Sequence, residues 1–389
     1  MPLVFQPSAN IARLKESATL AVAAKARALK AAGQPIIDLG AGEPDFDTPA
    51  FIRHAAAAAM EAGATRYTAT EGILPLREAI AADANRLLAS GAPITAAEVV
   101  VSTGSKQSLY NACVCCFGPG DEVLIPTPAW TSYYEMVELA RAVSVPVFGD
   151  EANDLKVTAA QLAAAATPRT KGLMLNSPSN PTGAVYTRDE LTAILDLAAD
   201  KGWWVLADEI YRRIAYEGGA QSALEVATTR ENLIVINGVA KAYAMTGWRL
   251  GWIVAPRTIA ADLGKLIEFN TSCAPAFVQA GALQALAEDP YQFKERRAAL
   301  QARAGELLAG LKHFPGLLVP PPTGGMYVFL RIRGEQDSVA IALRLIDEAG
   351  LGLAPGSAFG AAGEGADAHR HRPGRARGAA RGARRQARA

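Results

Sequence analysis

The chain has 389 residues, half of them hydrophobic and a fifth charged, which is ample apolar material for two or three packed domains, or for one large and one small. That balance excludes a largely disordered chain and a disulfide-stapled miniature, and no apolar run reaches the roughly 18 residues that span a bilayer. The net charge of +1 conceals a segregation, because residues 366–389 hold eight Arg and one Asp and leave 31 basic against 37 acidic residues in the rest. The start MPLVFQPSAN lacks the basic and apolar segments of a secretory signal, so a cytoplasmic protein with no membrane partner is expected.

In chain order, residues 11–32 are rich in Ala, Lys and Leu and predict a helix stopped by Gly33 and Pro35. IIDLGAGEPDFDTP then reads as a short strand entering a Gly/Pro/Asp loop. Seven short apolar runs follow, at 99–102, 122–126, 143–147, 172–176, 203–207, 233–237 and 250–254. Helical patterns lie near 51–62, 74–90, 105–117, 131–141, 158–166, 187–201 and 256–269. Continuous apolar strands alternating with helices predict an α/β fold whose mostly parallel sheet is covered on both faces. A long helical region near 276–312, a strand near 326–332, a helix near 337–349 and a short strand near 351–354 predict a second, smaller α/β unit. Cys113, Cys115 and Cys116 crowd into CVCC, Cys273 stands apart, and no second CxxC occurs elsewhere to pair with it. Reduced thiols buried on a helix are expected, and no metal site.

Ligands of open α/β sheets bind beyond the carboxyl ends of the strands, so the residues after each run carry the functional reading. Thr103-Gly104-Ser105-Lys106 opens a helix where backbone N–H groups can hold a phosphate, although Gly-Ser also begins many helices as a plain cap. The spacing matches neither GxGxxG nor GxxxxGKS, so dinucleotide and P-loop readings fail. Asn180, in a turn-rich loop, can place an amide at the sheet edge. Asp208 is either an acid at a site or a helix cap. Lys241, among small and apolar residues, is a candidate Schiff-base amine or a solvated loop lysine, and Arg249 can pair a phosphate or a carboxylate.

Taken in order, LGAGEPDFDTP, RYTATEGILPLREAI, NSPSNPTG, ADEIY and KAYAMTGWR resemble the class I aminotransferases, pyridoxal-phosphate enzymes of fold type I, over about residues 13–365. The resemblance implies a large cofactor-binding domain over 46–285 with a mostly parallel seven-stranded sheet, and a smaller α/β domain from 1–45 and 286–365. It implies transfer of the amino group of an L-amino acid to a 2-oxo acid such as 2-oxoglutarate, dependent on pyridoxal 5′-phosphate. Lys241 then forms the Schiff base and moves the substrate proton, and Asp208 pairs with the ring nitrogen. Asn180 and Tyr211 hydrogen-bond the phenolic oxygen. Trp130 stacks on the ring, a buried core aromatic being the alternative. Gly104, Ser105, Lys106 and Arg249 hold the phosphate. Tyr67 reaches the phosphate of a partner subunit, which implies a homodimer with shared sites. Gly42, Trp130 and Asn180 meet the substrate. Arg13-Leu14-Lys15-Glu16-Ser17-Ala18-Thr19 resembles the aspartate/prephenate branch, in which Lys15 and Lys106 meet a distal carboxylate, a solvated helix-start lysine being the alternative for Lys15. Residues 270–273 are expected to face the site. Aspartate is the favoured donor, with aromatic, branched and alanine-type donors open. A pyridoxal-phosphate-dependent β-eliminating C–S lyase and a cofactor-binding protein with impaired catalysis are the rival readings, and no nucleic acid is expected as a partner.

The tail departs from the family. Members carry Gly-Ser-x-Phe-Gly and then Gly-x-x-Arg, whose arginine grips the substrate α-carboxylate. Here Gly356 to Gly360 and Gly365 match, but the arginine position is Ala368, and Arg370 comes two residues late. Residues 366–389 contain no Val, Ile, Leu, Met or aromatic, so neither a packed strand nor an amphipathic helix is expected there. Shifting degenerate codons by one base from Gly365 permits Gly-Leu-(Met or Thr)-Arg-Ile-Ala-Ile and then a Glu/Leu helix. A frameshift is therefore preferred to a basic arm for nucleic acid or membrane, or to a disordered tail. A chain with this tail is expected to bind the cofactor and to hold substrate poorly.

Overall fold

A computed structural model describes residues 4–14, 18–40, 42–88, 90–216, 218–287 and 291–364. The first strand, Ile37–Asp38 (β1), belongs to the smaller unit. The main sheet is built from Val99–Ser102 (β2), Glu122–Thr127 (β3), Val143–Phe148 (β4), Thr170–Asn176 (β5), Trp204–Asp208 (β6), Leu233–Gly238 (β7) and Gly251–Val254 (β8). Each of the seven expected strands is present within two residues. The order is β2-β8-β7-β6-β5-β3-β4, with β8 antiparallel to both of its neighbours and every other pairing parallel.

Both faces are covered, as the unbroken apolar runs require. Successive side chains of a strand point to opposite faces. On one face lie Leu124, Leu173, Leu175, Val205, Ala207, Leu233 and Val235, packed with helices Leu74–Asn85, Arg188–Lys201 and Ala276–Ala287. On the other lie Val123, Ile125, Met174, Leu206, Ile234 and Ile236, with helices Ser105–Cys116, Thr131–Leu139 and Arg257–Asn270. Cys113 is buried in this second layer, and Cys115 and Cys116 are half-buried on the same helix.

The smaller unit contains Leu317–Leu318 (β9), Arg331–Ile332 (β10) and Leu351–Gly352 (β11). β1 pairs parallel with β11, and β9 antiparallel with β10. Helices Ala18–Ala31 and Ser338–Ala349 close over it through Val22, Ala26, Ala342 and Ile346. The strand expected near 326–332 is only two residues long. Its approach segment spends its hydrogen bonds on the main unit instead: Thr323 and Gly324 N–H donate to Gly183 O, and Gly325 N–H to Ile214 O. The long helical region expected at 276–312 is two helices, Ala276–Ala287 and Tyr291–Leu311. Among the described residues no helix is long and apolar enough to cross a membrane. The expectations for residues 366–389 lie outside the described residues.

Candidate active site

Strand alternation decides where the acid at the end of β6 points. Leu206 enters the second layer while Val205 and Ala207 enter the first, so Asp208 faces the same side as helix Thr131–Leu139. Tyr133, in the first turn of that helix, donates its O–H to Asp208 Oδ2 at 2.7 Å, and Ile210 N–H donates to Oδ1 at 3.1 Å. Asp208 is 3 % exposed. Burial pushes its carboxyl up to about 6, against the opposing pull of those two donors and of Lys241.

Lys241 follows the end of β7 and donates to the carbonyl of Gly42. Its amine stands 5.9 Å from the centre of the Tyr211 ring. Burial lowers its pKa, Arg249 and Lys106 push the same way, and Glu43 and Asp208 oppose them. More of the amine is therefore in the free-base form that acts as nucleophile or base. Tyr211 shares a 2.9 Å hydrogen bond with Tyr327, and the two rings meet edge to face at 5.7 Å. The Asn180 side chain acts on the Tyr211 hydroxyl and opposes the rise in its pKa that burial causes. Asn180 is held by Asn176, whose Oδ1 accepts from Asn180 N–H at 2.8 Å while its Nδ2 donates to Asp208 O at 2.9 Å. Asn180 Oδ1 is buried without a partner among the described residues.

The turn before helix Ser105–Cys116 needs two glycines. Gly104 has φ +90°, and a Cβ there would stand 2.6 Å from Arg249 Nη2. A Cβ on Gly251 would lie 2.3 Å from Ser105 N, so β8 lets the helix start settle directly on it. The N–H groups of Ser105 and Lys106 find no acceptor among the described residues, leaving a helix N-terminus open to an anion. Arg249 lies across this turn and donates from Nη1 to Thr246 O at 2.8 Å. Lys106 sits 4.7 Å over the Trp130 ring, which meets Tyr133 edge-on at 5.4 Å. Burial and Arg249 lower the Lys106 pKa. Gln107 ties Asn270 and Thr271 to the helix start with bonds of 2.9 and 3.0 Å.

Lys241, Asp208, Asn180, Tyr211, Trp130, Gly42, Arg249 and the turn 104–106 thus converge at one end of the sheet. Tyr67 does not join them, being 87 % exposed, with no bond from its side chain to the cluster among the described residues. Lys15, Ala368 and Arg370 lie outside the described residues. Sequence reasoning missed Tyr133 and Tyr327. Tyr133 follows Trp130 by three residues and shares its helical turn, a spacing that was available as a signal. Tyr327 lies 116 residues from Tyr211 in sequence and in no local motif, and only the docking of 323–325 brings it in.

The site can hold an elongated ligand with a basic ring nitrogen at Asp208, an anionic group at the helix start, and an electrophilic carbon at Lys241. The family described as aminotransferase class I and II matches residues 34–377. The aspartate aminotransferase of Streptomyces avermitilis is 43 % identical over 93 % of this chain and 91 % of its own length. The aspartate/prephenate aminotransferase of Cereibacter sphaeroides is 40 % identical over 91 % of each. Among solved structures, the aspartate aminotransferase of Thermus thermophilus with maleate superposes with a TM-score of 0.86 at 37 % identity, covering 92 % of this chain and 93 % of that one.

Proposed function

Because the chain belongs to the class I and II aminotransferases, we propose that the cluster around Lys241 carries out pyridoxal 5′-phosphate-dependent transfer of the amino group of L-aspartate to a 2-oxo acid such as 2-oxoglutarate. The observation that carries this reading is that one end of the sheet brings together a buried carboxylate, Asp208, an amine whose pKa burial lowers, Lys241, and an open helix N-terminus. The residues fit the cofactor. The buried Asn180 Oδ1, the Gly104 turn under Arg249 and the N–H groups of Ser105 and Lys106, which meet no acceptor among the described residues, suit a ligand that carries a polar ring and an anionic group.

When bound, the cofactor supplies an electron sink for the bond pair released at the substrate α-carbon. Asp208 would keep the ring nitrogen protonated, and Asn180 and Tyr211 would hydrogen-bond the phenolic oxygen. Trp130 would hold the ring. The helix start and Arg249 would neutralise the phosphate. Lys241, as free base, would take the proton from the substrate α-carbon onto its Nζ and deliver it to the cofactor carbon that receives the amine, while Gly42 would offer its backbone to the substrate carboxylate. Relatives named for aspartate, and a Thermus thermophilus structure with maleate, support a dicarboxylic substrate, whose second carboxylate Lys106 would meet. Residues 46–285 serve as the large domain, and 1–45 with 286–365 as the small one.

Mixing the cofactor-loaded protein with L-aspartate, without an oxo acid, should bleach the visible cofactor band and raise the near-ultraviolet band of the aminated cofactor. Release of pyruvate and ammonia from cystathionine, with no response to aspartate, would transfer the chain to the β-eliminating lyases. The enzyme acts as a cytoplasmic homodimer in this reading. Its four cysteines are unpaired, as suits a reducing compartment, and the exposure of Tyr67 suits a side chain that reaches a partner subunit. Light scattering should return twice the 40.7 kDa chain mass, and a monomer mass would overturn the dimer.

A further inference from the structure

We propose that Tyr133 is a positioning residue for the transfer, its hydroxyl holding the Asp208 carboxylate ionised and aimed at the ring nitrogen of the cofactor. The proposal rests on the reading of Asp208 given above. Tyr133 is 2 % exposed and lies in the apolar layer with Met136, Leu206 and Ile236. A hydroxyl buried in such a layer is costly unless it is bonded, and its partner is Asp208 Oδ2 at 2.7 Å. Phenylalanine would fill the same space, so packing alone does not account for the hydroxyl.

The bond is directional. Oδ1 is held by the local N–H of Ile210, two residues on, whereas Oδ2 is held from across the layer, 75 residues away in sequence. The two donors together fix the plane of the carboxylate. Tyr133 is itself fixed by its edge contact with Trp130, at 5.4 Å and 89°. One helical turn therefore carries both the proposed ring cover and the support of the acid beneath it. Burial and the Asp208 charge both raise the Tyr133 pKa, so the phenol stays protonated and always donates. The other titratable groups that act on Asp208 or this pair are Lys241 beyond β7, Tyr211 beyond β6, and Tyr327 past Tyr211. None of these is within hydrogen-bond distance of the carboxylate among the described residues.

The test is a double-mutant cycle on the cofactor-loaded enzyme with Tyr133→Phe, Asp208→Asn and both. Tyr133→Phe should lower kcat roughly 10- to 100-fold, the scale of one hydrogen bond to a charged group, with little change in KM for aspartate. It should move the acid limb of the pH–rate profile upward, because the carboxylate loses a donor that favours its charged form. It should also shift the pH titration midpoint of the bound cofactor's visible band, which a merely space-filling tyrosine would not do. In the Asp208→Asn background, Tyr133→Phe should then change little. Additive effects in the cycle or an unmoved titration midpoint would each overturn the proposal. An Asp208→Asn enzyme with wild-type turnover would instead overturn the reading of Asp208 itself.

Discussion

Lys241→Ala is expected to lower turnover by about ten-thousand-fold or more, the upper range for removing a positioned acid–base group, since the same amine is also the nucleophile. The fold should survive. Lys241 is only half-buried, among the described residues its side chain donates one hydrogen bond, to Gly42 O, and without it the Asp208 carboxylate keeps its bonds from Tyr133 and Ile210. Lys241→Arg should fail almost as badly, because a guanidinium does not lose its proton near neutral pH, whereas burial and the neighbouring Arg249 and Lys106 already favour the free base of Lys241. Borohydride treatment followed by intact-mass measurement separates the roles: the native chain should gain covalently the mass of the cofactor less one oxygen, water leaving as the Schiff base forms and two hydrogens adding on reduction, and the alanine variant should not. A variant that transfers amino groups within tenfold of the native rate would remove Lys241 from the chemistry.

Asp208→Asn should have opposite effects on activity and on the stability of the cofactor-free protein. Activity should fall by roughly a hundred- to a thousand-fold, the scale of losing one preorganised electrostatic partner. For stability, the folded carboxyl is raised to about 6 from an ordinary value of 3.8. A raised acid contributes stability that is fully present below the unfolded pKa and is lost as pH rises through the folded pKa. The cofactor-free native chain therefore carries a cost on the order of 3 kcal/mol above pH 6. An amide does not titrate, so the variant should melt at a higher temperature than the native chain at pH 8. That advantage should disappear as the pH falls from 6 to about 4. Thermal melts of the two cofactor-free proteins across this range check the sign, and a variant less stable at pH 8 would contradict it.

Much of this was legible in the chain. The strands of the main sheet announce themselves because both faces are buried: runs such as LIVIN and VLIP have no polar alternation to disguise them. The residues at their carboxyl ends, Asn180, Asp208 and Lys241, stand beside local turn signals, so position made them candidates and the family resemblance gave them roles. The smaller unit was read less well, because its strands are two residues long and the segment 322–327 is held by loops of the main unit rather than by a strand partner.

Composition and periodicity by themselves determined the α/β class, the number of strands in the main sheet and the end of the sheet that bears the chemistry, since burial on two faces and helix-start turns are local properties. Only the tertiary structure decided which groups meet. Strand order places β6 between β5 and β7, so that Asn176 pairs in register with Asp208. The second helical layer delivers Tyr133 to the carboxylate, and the docking of 323–325 delivers Tyr327 to Tyr211. These pairings span 32, 75 and 116 residues of sequence. No local pattern encodes them, because they arise from how separate elements pack and not from the periodicity within any one of them.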